Sequence, residues 1–208
     1  MENIKLKILD QAKKLFNDKG VSNVSIREIA REIGISHSNL IYHFKDKNLL
    51  LTHLHQQILD AAVEINREIS KEENTLKSVF ISTVKGFKII YDFRFFMIDF
   101  NSILLENKEL HQQIKEIEAF RYNLYEVKIA KMIDEEIFRN EVYKNEYADL
   151  ISQIRIFSDY WVSSSQVYEQ YPQSSIKKYA RLFLCHFRPF LTPKGHKMFI
   201  QLLSEFEL

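Results

Sequence analysis

Glycine and proline are scarce in this chain, and their scarcity limits the folds open to it. Of its 208 residues, only 4 are Gly and 3 are Pro. Sheet proteins reverse direction at many tight turns, which draw heavily on these two residues. Hydrophobic residues make up 46% of the chain, which is enough for a sizeable core and argues against disorder. The composition therefore predicts an all-α fold.

Residues 25–47 carry the densest set of local structural signals. Ser25, followed three residues later by Glu28, forms a capping box that begins a helix. Gly34 allows the positive φ of a sharp turn, and Ser36 can cap the helix that follows. Two short helices joined by a tight turn predict a helix-turn-helix, whose second helix lies in a DNA major groove.

Helical periodicity continues on both sides of this segment. A first helix is expected from about Asn3 to Lys19, and Asp46 can cap a fourth helix that runs toward Ser70. Further helices are predicted after a polar break at residues 71–74. They are Thr75–Asp92, Arg94–Leu105, Lys108–Arg139, Tyr143–Tyr171, Ser174–Phe187 and Lys194–Phe206.

The predicted organisation is a small head on a larger body. Residues 1–50 form a three-helix DNA-binding head with the helix-turn-helix, and residues 51–208 form a helical effector-binding and dimerisation domain. The whole chain has a formal charge of only +1, but residues 1–50 hold nine Lys or Arg against six Asp or Glu, which gives +3. This local excess suits a nucleic-acid contact confined to one end.

The N-terminal segment resembles the TetR family of transcriptional regulators. The resemblance rests on apolar pairs of the first helix, on glycines at both turns and on the run that ends the helix-turn-helix. These residues are Ile8, Leu9, Leu15, Phe16, Gly20, Ser25, Ile29, Ala30, Gly34, Ile35, Ser36, Leu40, Tyr42, His43, Phe44, Lys47, Leu50 and Leu54. Two positions depart from the family's pattern, which often has Gly or Ala at Ser38 and commonly has Tyr at Ile41.

The resemblance implies a homodimer with two DNA heads, a palindromic operator in double-stranded DNA and repression relieved by a small effector in the helical body. The chemistry of the head supports DNA contacts independently. Lys47, at the start of the fourth helix, suits a phosphate, Arg27 suits guanine and Asn39 suits adenine. The predicted DNA-binding residues are Ser25, Arg27, His37, Ser38, Asn39, Tyr42, His43 and Lys47.

Two apolar stripes near the C-terminus favour a dimer of helix pairs. The predicted interface residues are Ile154, Ser158, Trp161, Ser165, Tyr179 and Phe183. Packing of both stripes within one monomer is the alternative.

Aromatic residues crowd the middle of the chain and favour a pocket for a small apolar or aromatic effector. The predicted pocket residues are Phe87, Tyr91, Phe96, Phe100, Asn101, His111, Tyr122 and Tyr125. An ordinary aromatic core is the alternative.

Other function classes lack their signatures. The four glycines, at positions 20, 34, 86 and 195, build no phosphate-binding fingerprint or nucleophile elbow. The seven histidines and Cys185 show no metal-ligand spacing. We therefore expect no enzyme, no cofactor and no metal. We also expect no membrane span, because charged residues interrupt the most apolar stretch, Phe87 to Phe100. A single cysteine fits a reducing, cytoplasmic setting.

Two other functions stay open from the sequence. One is a DNA-binding protein without a small-molecule effector, controlled by a protein partner. The other is a helical carrier of small molecules with a vestigial head.

Overall fold

The computed structural model describes residues 4–170 and 172–208, and these residues form helices, turns and one isolated β-bridge between Phe138 and Leu191. The predicted all-α fold is confirmed. The helices of the described residues are α1 Ile4–Lys19, α2 Ile26–Glu32, α3 His37–His43, α4 Lys47–Ile69, α5 Thr75–Asp92, α6 Arg94–Ile98, α7 Phe100–Glu106, α8 Lys108–Asp134, α9 Glu146–Tyr168, α10 Ile176–Cys185 and α11 Pro193–Glu205. Short 3₁₀ turns span Pro172–Ser175 and Arg188–Phe190.

The bounds of three predicted helices were wrong, for local reasons. The helix predicted over Arg94–Leu105 breaks at Asp99 into α6 and α7. The helix predicted to reach Arg139 ends at Asp134, because Glu136 takes a φ of 57°. The helix predicted from Tyr143 begins after Asn145, which has a φ of 70°.

The other helix ends lie at the predicted residues or within a few residues of them. The helix expected over Ser174–Phe187 is the shorter α10. Two predicted ends, Asn3 and Tyr171, lie outside the described residues. In the described part of the chain, no helix is long and apolar enough to cross a membrane.

Two apolar clusters hold the molecule together. The head cluster consists of buried residues of α1 to α4 and of the loops between them, together with Phe93, Phe95, Phe96, Ile103 and Leu110. The body cluster is formed by buried residues of α5, α8, α9, α10, α11 and the loops between them. The boundary predicted at residue 50 falls inside α4, whose first turns belong to the head cluster; that boundary stays a prediction.

Helix α6 joins the head to the body. The Phe16 and Phe95 rings meet with centroids 5.4 Å apart, and His55 of α4 stacks on Phe96 at 5.3 Å. Burial in this joint lowers the pKa of His55. Asn17 of α1 adds two hydrogen bonds, because its Nδ2 donates to the Asp92 carbonyl at 2.9 Å and its Oδ1 accepts from the Phe95 N–H at 3.0 Å. The first helix is thus fastened to the α5–α6 junction by both apolar and polar contacts.

An ion pair closes the loop between α8 and α9. Arg139 donates from both terminal nitrogens to Glu146, at 2.8 and 2.7 Å, and the Val142 N–H donates to the same carboxylate at 2.8 Å. The Arg139 side chain and the Val142 N–H together lower the pKa of Glu146 to about 2. These bonds fix the start of α9 relative to the end of α8.

We predict opposite effects for the same substitution at two glycines. A Cβ on Gly195 would lie 2.1 Å from the Ile137 carbonyl oxygen, whereas a Cβ on Gly86, inside α5, would meet nothing within 4 Å. Gly195→Ala should therefore lower the free energy of unfolding by about 2 kcal/mol or more through overpacking. Gly86→Ala should raise it by about 0.5–1 kcal/mol through helix propensity. Urea unfolding followed by circular dichroism measures both, and an unchanged midpoint for Gly195→Ala would contradict the close packing of α11 on residue 137.

Candidate DNA-binding site

Side-chain caps fix the start of each helix in the helix-turn-helix. Ser25 Oγ accepts from the Glu28 N–H at 3.1 Å, and Ser36 Oγ accepts from the Asn39 N–H at 3.1 Å. Asp46 Oδ1 caps α4 through the Leu49 N–H at 2.8 Å. The predicted caps at all three positions are confirmed. Helices as short as α2 and α3 need such caps because a seven-residue helix is marginal alone.

The turn between α2 and α3 depends on Gly34. Its φ of +73° lies in the left-handed region, which residues with a Cβ rarely adopt. The turn lets Leu40 and Phe44 enter the head cluster, where their exposed fractions are 0% and 1%. With this face of α3 buried, the polar face of the same helix is turned to solvent.

The solvent-facing side of α3 holds the predicted base-reading residues. His37, Ser38 and Asn39 are exposed in its first turn, and Tyr42 is 85% exposed. The half-buried His43 ring meets the Tyr42 ring edge-on, with centroids 5.1 Å apart. An aromatic ring so far exposed has no role in the core, which is consistent with a contact surface.

A surface concavity of about 440 Å³ opens beside this face, where the starts of α2, α3 and α4 converge. It is lined by Ser22, Asn23, Val24, Ser25, Ile26, Arg27, His37 and Lys47. Four predicted DNA-binding residues, Ser25, Arg27, His37 and Lys47, therefore share one surface. Ser22 and Asn23 also line the concavity, although the sequence analysis did not single them out.

Two lysines of the head are engaged within the protein. Lys47 Nζ donates to the Val21 carbonyl at 2.8 Å, so the start of α4 is tied to the α1–α2 loop. Lys19 Nζ pairs with Glu28 at 2.6 Å, and this hydrogen bond lowers the pKa of Glu28 and raises that of Lys19. An ammonium has three donors, so Lys47 keeps donors for a further acceptor.

The eight predicted effector residues do not surround one cavity. Phe87 and Tyr91 are buried in the body cluster, where Phe87 stacks on Trp161 at 4.9 Å. Phe96 and Phe100 belong to the head side instead. Asn101 is exposed, His111 is half-buried, and Tyr122 and Tyr125 pack against the edge of the body cluster. The alternative of an ordinary aromatic core accounts for Phe87, Tyr91 and Phe96.

A cleft of about 310 Å³ lies between α8 and α9. Its lining includes the buried Ile129, Tyr147 and Ile151, and the exposed Glu126, Glu141 and Asn145. Tyr122 is the one member of the predicted pocket that lines this cleft. The other lining residues are Ala130, Ile133 and Ala148.

The predicted dimer residues are mostly turned into the monomer. Ile154 and Ser165 are 0% exposed, and Trp161, Tyr179 and Phe183 are buried in the same region. Ser158 is half-buried and donates to the Ile154 carbonyl at 2.8 Å. Five of the six side chains thus leave no surface for a second subunit, because the stripe they form covers the body cluster. The opposite face of α9 carries exposed Ile156, Tyr160 and Val167.

Comparisons with known proteins match both parts of the chain. A protein-family model described as bacterial regulatory proteins, tetR family, matches residues 8–54. A second family model, TetR, described as bacterial transcriptional repressor, matches residues 56–199. HTH-type transcriptional regulators of Staphylococcus aureus strains USA300 and NCTC 8325 / PS 47 are each 38% identical to the chain over 66 residues. That match spans 32% of this chain and about a third (36%) of the length of those relatives.

Solved structures share the fold over nearly the full length. A TetR-family transcriptional regulator from Marinobacter aquaeolei VT8 has a TM-score of 0.84 at 21% identity and covers 98% of both chains. The ketosteroid transcriptional regulator KstR2 of Mycobacterium tuberculosis has a TM-score of 0.65 at 15% identity, covering 92% of this chain and 97% of its own. Since the two family models together span the capped head and the helical body, this chain belongs to the TetR family of DNA-binding transcriptional regulators, which are not enzymes.

Proposed function

We propose that the chain is a homodimeric repressor that binds a palindromic operator through α2, α3 and the start of α4, and that a small apolar or aromatic effector releases it. The observation that carries this proposal is the shared surface at the head. Exposed polar residues of α3 continue directly from a concavity lined by Arg27 and Lys47. A helix presented beside basic and hydroxyl side chains fits a major groove flanked by phosphates.

Each predicted DNA contact follows from its place on that surface. Lys47 and Ser25 line the concavity and suit phosphate oxygens. Asn39, exposed in the first turn of α3, suits adenine, and Arg27, at the second residue of α2, suits guanine. His37, Ser38, Tyr42 and His43 complete the proposed interface.

The outward face of α9 is the dimer surface that we propose. Ile156, Tyr160 and Val167 are 56%, 48% and 72% exposed and are spaced by four and seven residues along one side of the helix. Leu182 of the neighbouring α10 is also exposed. Small Ser163 lies between Tyr160 and Val167 and permits close helix approach. An apolar stripe shared by two adjacent helices suits an isologous interface with the same stripe of a second copy.

The cleft between α8 and α9 is the effector site that we propose. Its isoleucine and alanine walls favour an apolar ligand, and its volume of about 310 Å³ fits a small one. Its exposed lining residues Glu126, Glu141 and Asn145 can bind a polar or cationic end group. The name of one structural neighbour, the ketosteroid regulator KstR2, also refers to an apolar molecule.

The packed body favours one alternative. Phe87, Trp161 and Phe183 fill its centre, with ring centroids 4.9 and 5.5 Å from that of Phe87. A filled core suits a regulator controlled by a protein partner rather than by a small molecule. Selection of bound duplexes from a random DNA pool, repeated with apolar, aromatic and polar compounds, separates the two functions, because only the first predicts release of the selected duplex by a compound.

Lys47→Ala should weaken binding to all duplexes and reduce the dependence of affinity on salt. Loss of one phosphate contact lowers the slope of log affinity against log salt by about 0.9. Fluorescence anisotropy between 50 and 200 mM salt measures the slope.

Lys71→Ala is the matched control for this charge change. Lys71 is exposed just beyond the other end of α4, which is about 34 Å long for its 23 residues. Its slope should equal that of the wild type. If Lys47→Ala and Lys71→Ala have the same slope of log affinity against log salt, Lys47 does not contact the DNA.

Ile156→Glu should dissociate the dimer. The side chain is already exposed in one subunit, so the monomer should keep its fold, while an unpaired carboxylate buried between subunits costs several kcal/mol. The dissociation constant of the dimer, measured by sedimentation equilibrium, should rise by about 100-fold or more. Val63→Glu, on α4 and 54% exposed, should leave association unchanged; a fully dimeric Ile156→Glu would place the interface elsewhere.

Ala130→Trp should abolish release by an effector and leave DNA binding intact. The added indole would occupy much of the cleft between α8 and α9. Ala119→Trp adds the same ring to exposed α8 surface, about 16 Å along the helix, and should respond to the effector like the wild type. Normal release of the Ala130→Trp variant would exclude this cleft as the effector site.

A further inference from the structure

Asp99 makes an unusual use of its carboxylate. It lies between α6 and α7, where an aspartate ordinarily caps the following helix through its own side chain. Here the side chain makes no cap hydrogen bond to α7. Its Oδ2 instead accepts from the backbone N–H of Val21 at 2.7 Å, across 78 residues of sequence. The carboxylate therefore links the α6–α7 junction to the α1–α2 loop of the head.

Val21 is held on its other side by a predicted DNA contact. Its carbonyl accepts from Lys47 Nζ at 2.8 Å, and its side chain is 8% exposed. Gly20, immediately before it, has a φ of +80° that directs the chain out of α1. The N–H and the C=O of Val21 are thus held by two different groups, the Asp99 carboxylate of the α6–α7 junction and the Lys47 ammonium of α4.

The loop that this clamp of Asp99 and Lys47 on Val21 fixes faces the DNA-binding surface. Residues 22–25, directly after Val21, line the concavity with Arg27 and Lys47. A shift of the α6–α7 junction would move the Val21 peptide and, with it, both the loop and the acceptor that orients Lys47. Asn17 is different, because its two hydrogen bonds join α1 to Asp92 and Phe95 and touch no residue of the concavity.

We propose that Asp99 is a positioning residue for DNA binding, which sets the α1–α2 loop and Lys47 through the Val21 peptide. The α6–α7 junction thereby acts on the DNA surface by a polar route separate from the apolar packing of α6 on α4. The part of this inference that concerns Lys47 rests on the phosphate contact proposed above.

Asp99→Ala and Asp99→Asn test the clamp in the full chain. The probe is a duplex that the wild-type protein selects from a random pool. Asp99→Ala should bind it about tenfold more weakly, as expected for one lost charge-assisted hydrogen bond. Asp99→Asn should stay within about threefold of the wild type, because the amide oxygen can accept the same N–H. Equal affinities for Asp99→Ala and the wild type would overturn the proposal.

Asn17→Ala is the matched control that separates a loss of DNA affinity from a general loss of folding stability. It removes two hydrogen bonds from the same joint, so it should lower the melting temperature at least as much as Asp99→Ala while the folded protein keeps its DNA affinity. Hydrogen exchange adds a local measure. In Asp99→Ala the Val21 amide should exchange faster, whereas the Gly20 amide, which donates to the Phe16 carbonyl at 2.9 Å, should not. An affinity loss in Asn17→Ala as large as that in Asp99→Ala, or unchanged exchange at Val21, would contradict the positioning role.

The double variant Asp99→Ala/Lys47→Ala tests whether Asp99 affects DNA binding through Lys47. Asp99 and Lys47 both bind the backbone of Val21, so their double variant should show a loss in affinity smaller than the sum of the two single losses. Full additivity would overturn the route through Lys47. If Asp99→Ala loses affinity and Lys47→Ala does not, the proposed phosphate contact is wrong, and the positioning of the loop by Asp99 stands.

Discussion

The packing of α6 between head and body is the contact on which the rest of the structure depends. Phe95 and Phe96 are 1% and 2% exposed, and both belong to the apolar cluster of the head although they lie far beyond it in sequence. Burial of such rings contributes about 2–3 kcal/mol each. A head built from two seven-residue helices and two longer ones therefore completes its core with residues that lie beyond α5 in the sequence. Any rearrangement of α6 must also change the packing of α1 and α4.

Helix caps and burial in a shared core stabilise the short helices of the head. Short helices are marginal in water, so α2 and α3 depend on Ser25 and Ser36 for their first turns and on Leu40 for their inner face. With the apolar residues packed in the core, the polar face of α3 is exposed to solvent. The Asp99–Val21–Lys47 chain adds a directional link, because hydrogen bonds fix position more narrowly than apolar contact does.

In the body, residue type alone did not distinguish a ligand pocket from a packed core. Rings such as Phe87 and Trp161 suit a pocket or a core equally well by sequence, and here they stack on each other. The same ambiguity affected α9, since both of its faces carry apolar residues at helical spacing. Ile154 covers the body cluster, while Ile156 on the other side is exposed. Periodicity identifies a stripe, but the neighbouring elements decide which of two stripes is buried.

The sequence by itself determined the helical class, the caps, the turn at Gly34 and the family, because each depends on residues within one or two turns of each other. It also predicted an exposed polar face on α3, because Leu40 and Phe44 pack inward and leave the opposite face to solvent. Only the tertiary structure decided the break at Asp99, the buried face of α9 and the cleft beside Tyr122. Those features depend on partners far apart in the chain, such as the Val21 N–H that draws the Asp99 carboxylate away from its own helix. No local pattern encodes a hydrogen bond across 78 residues.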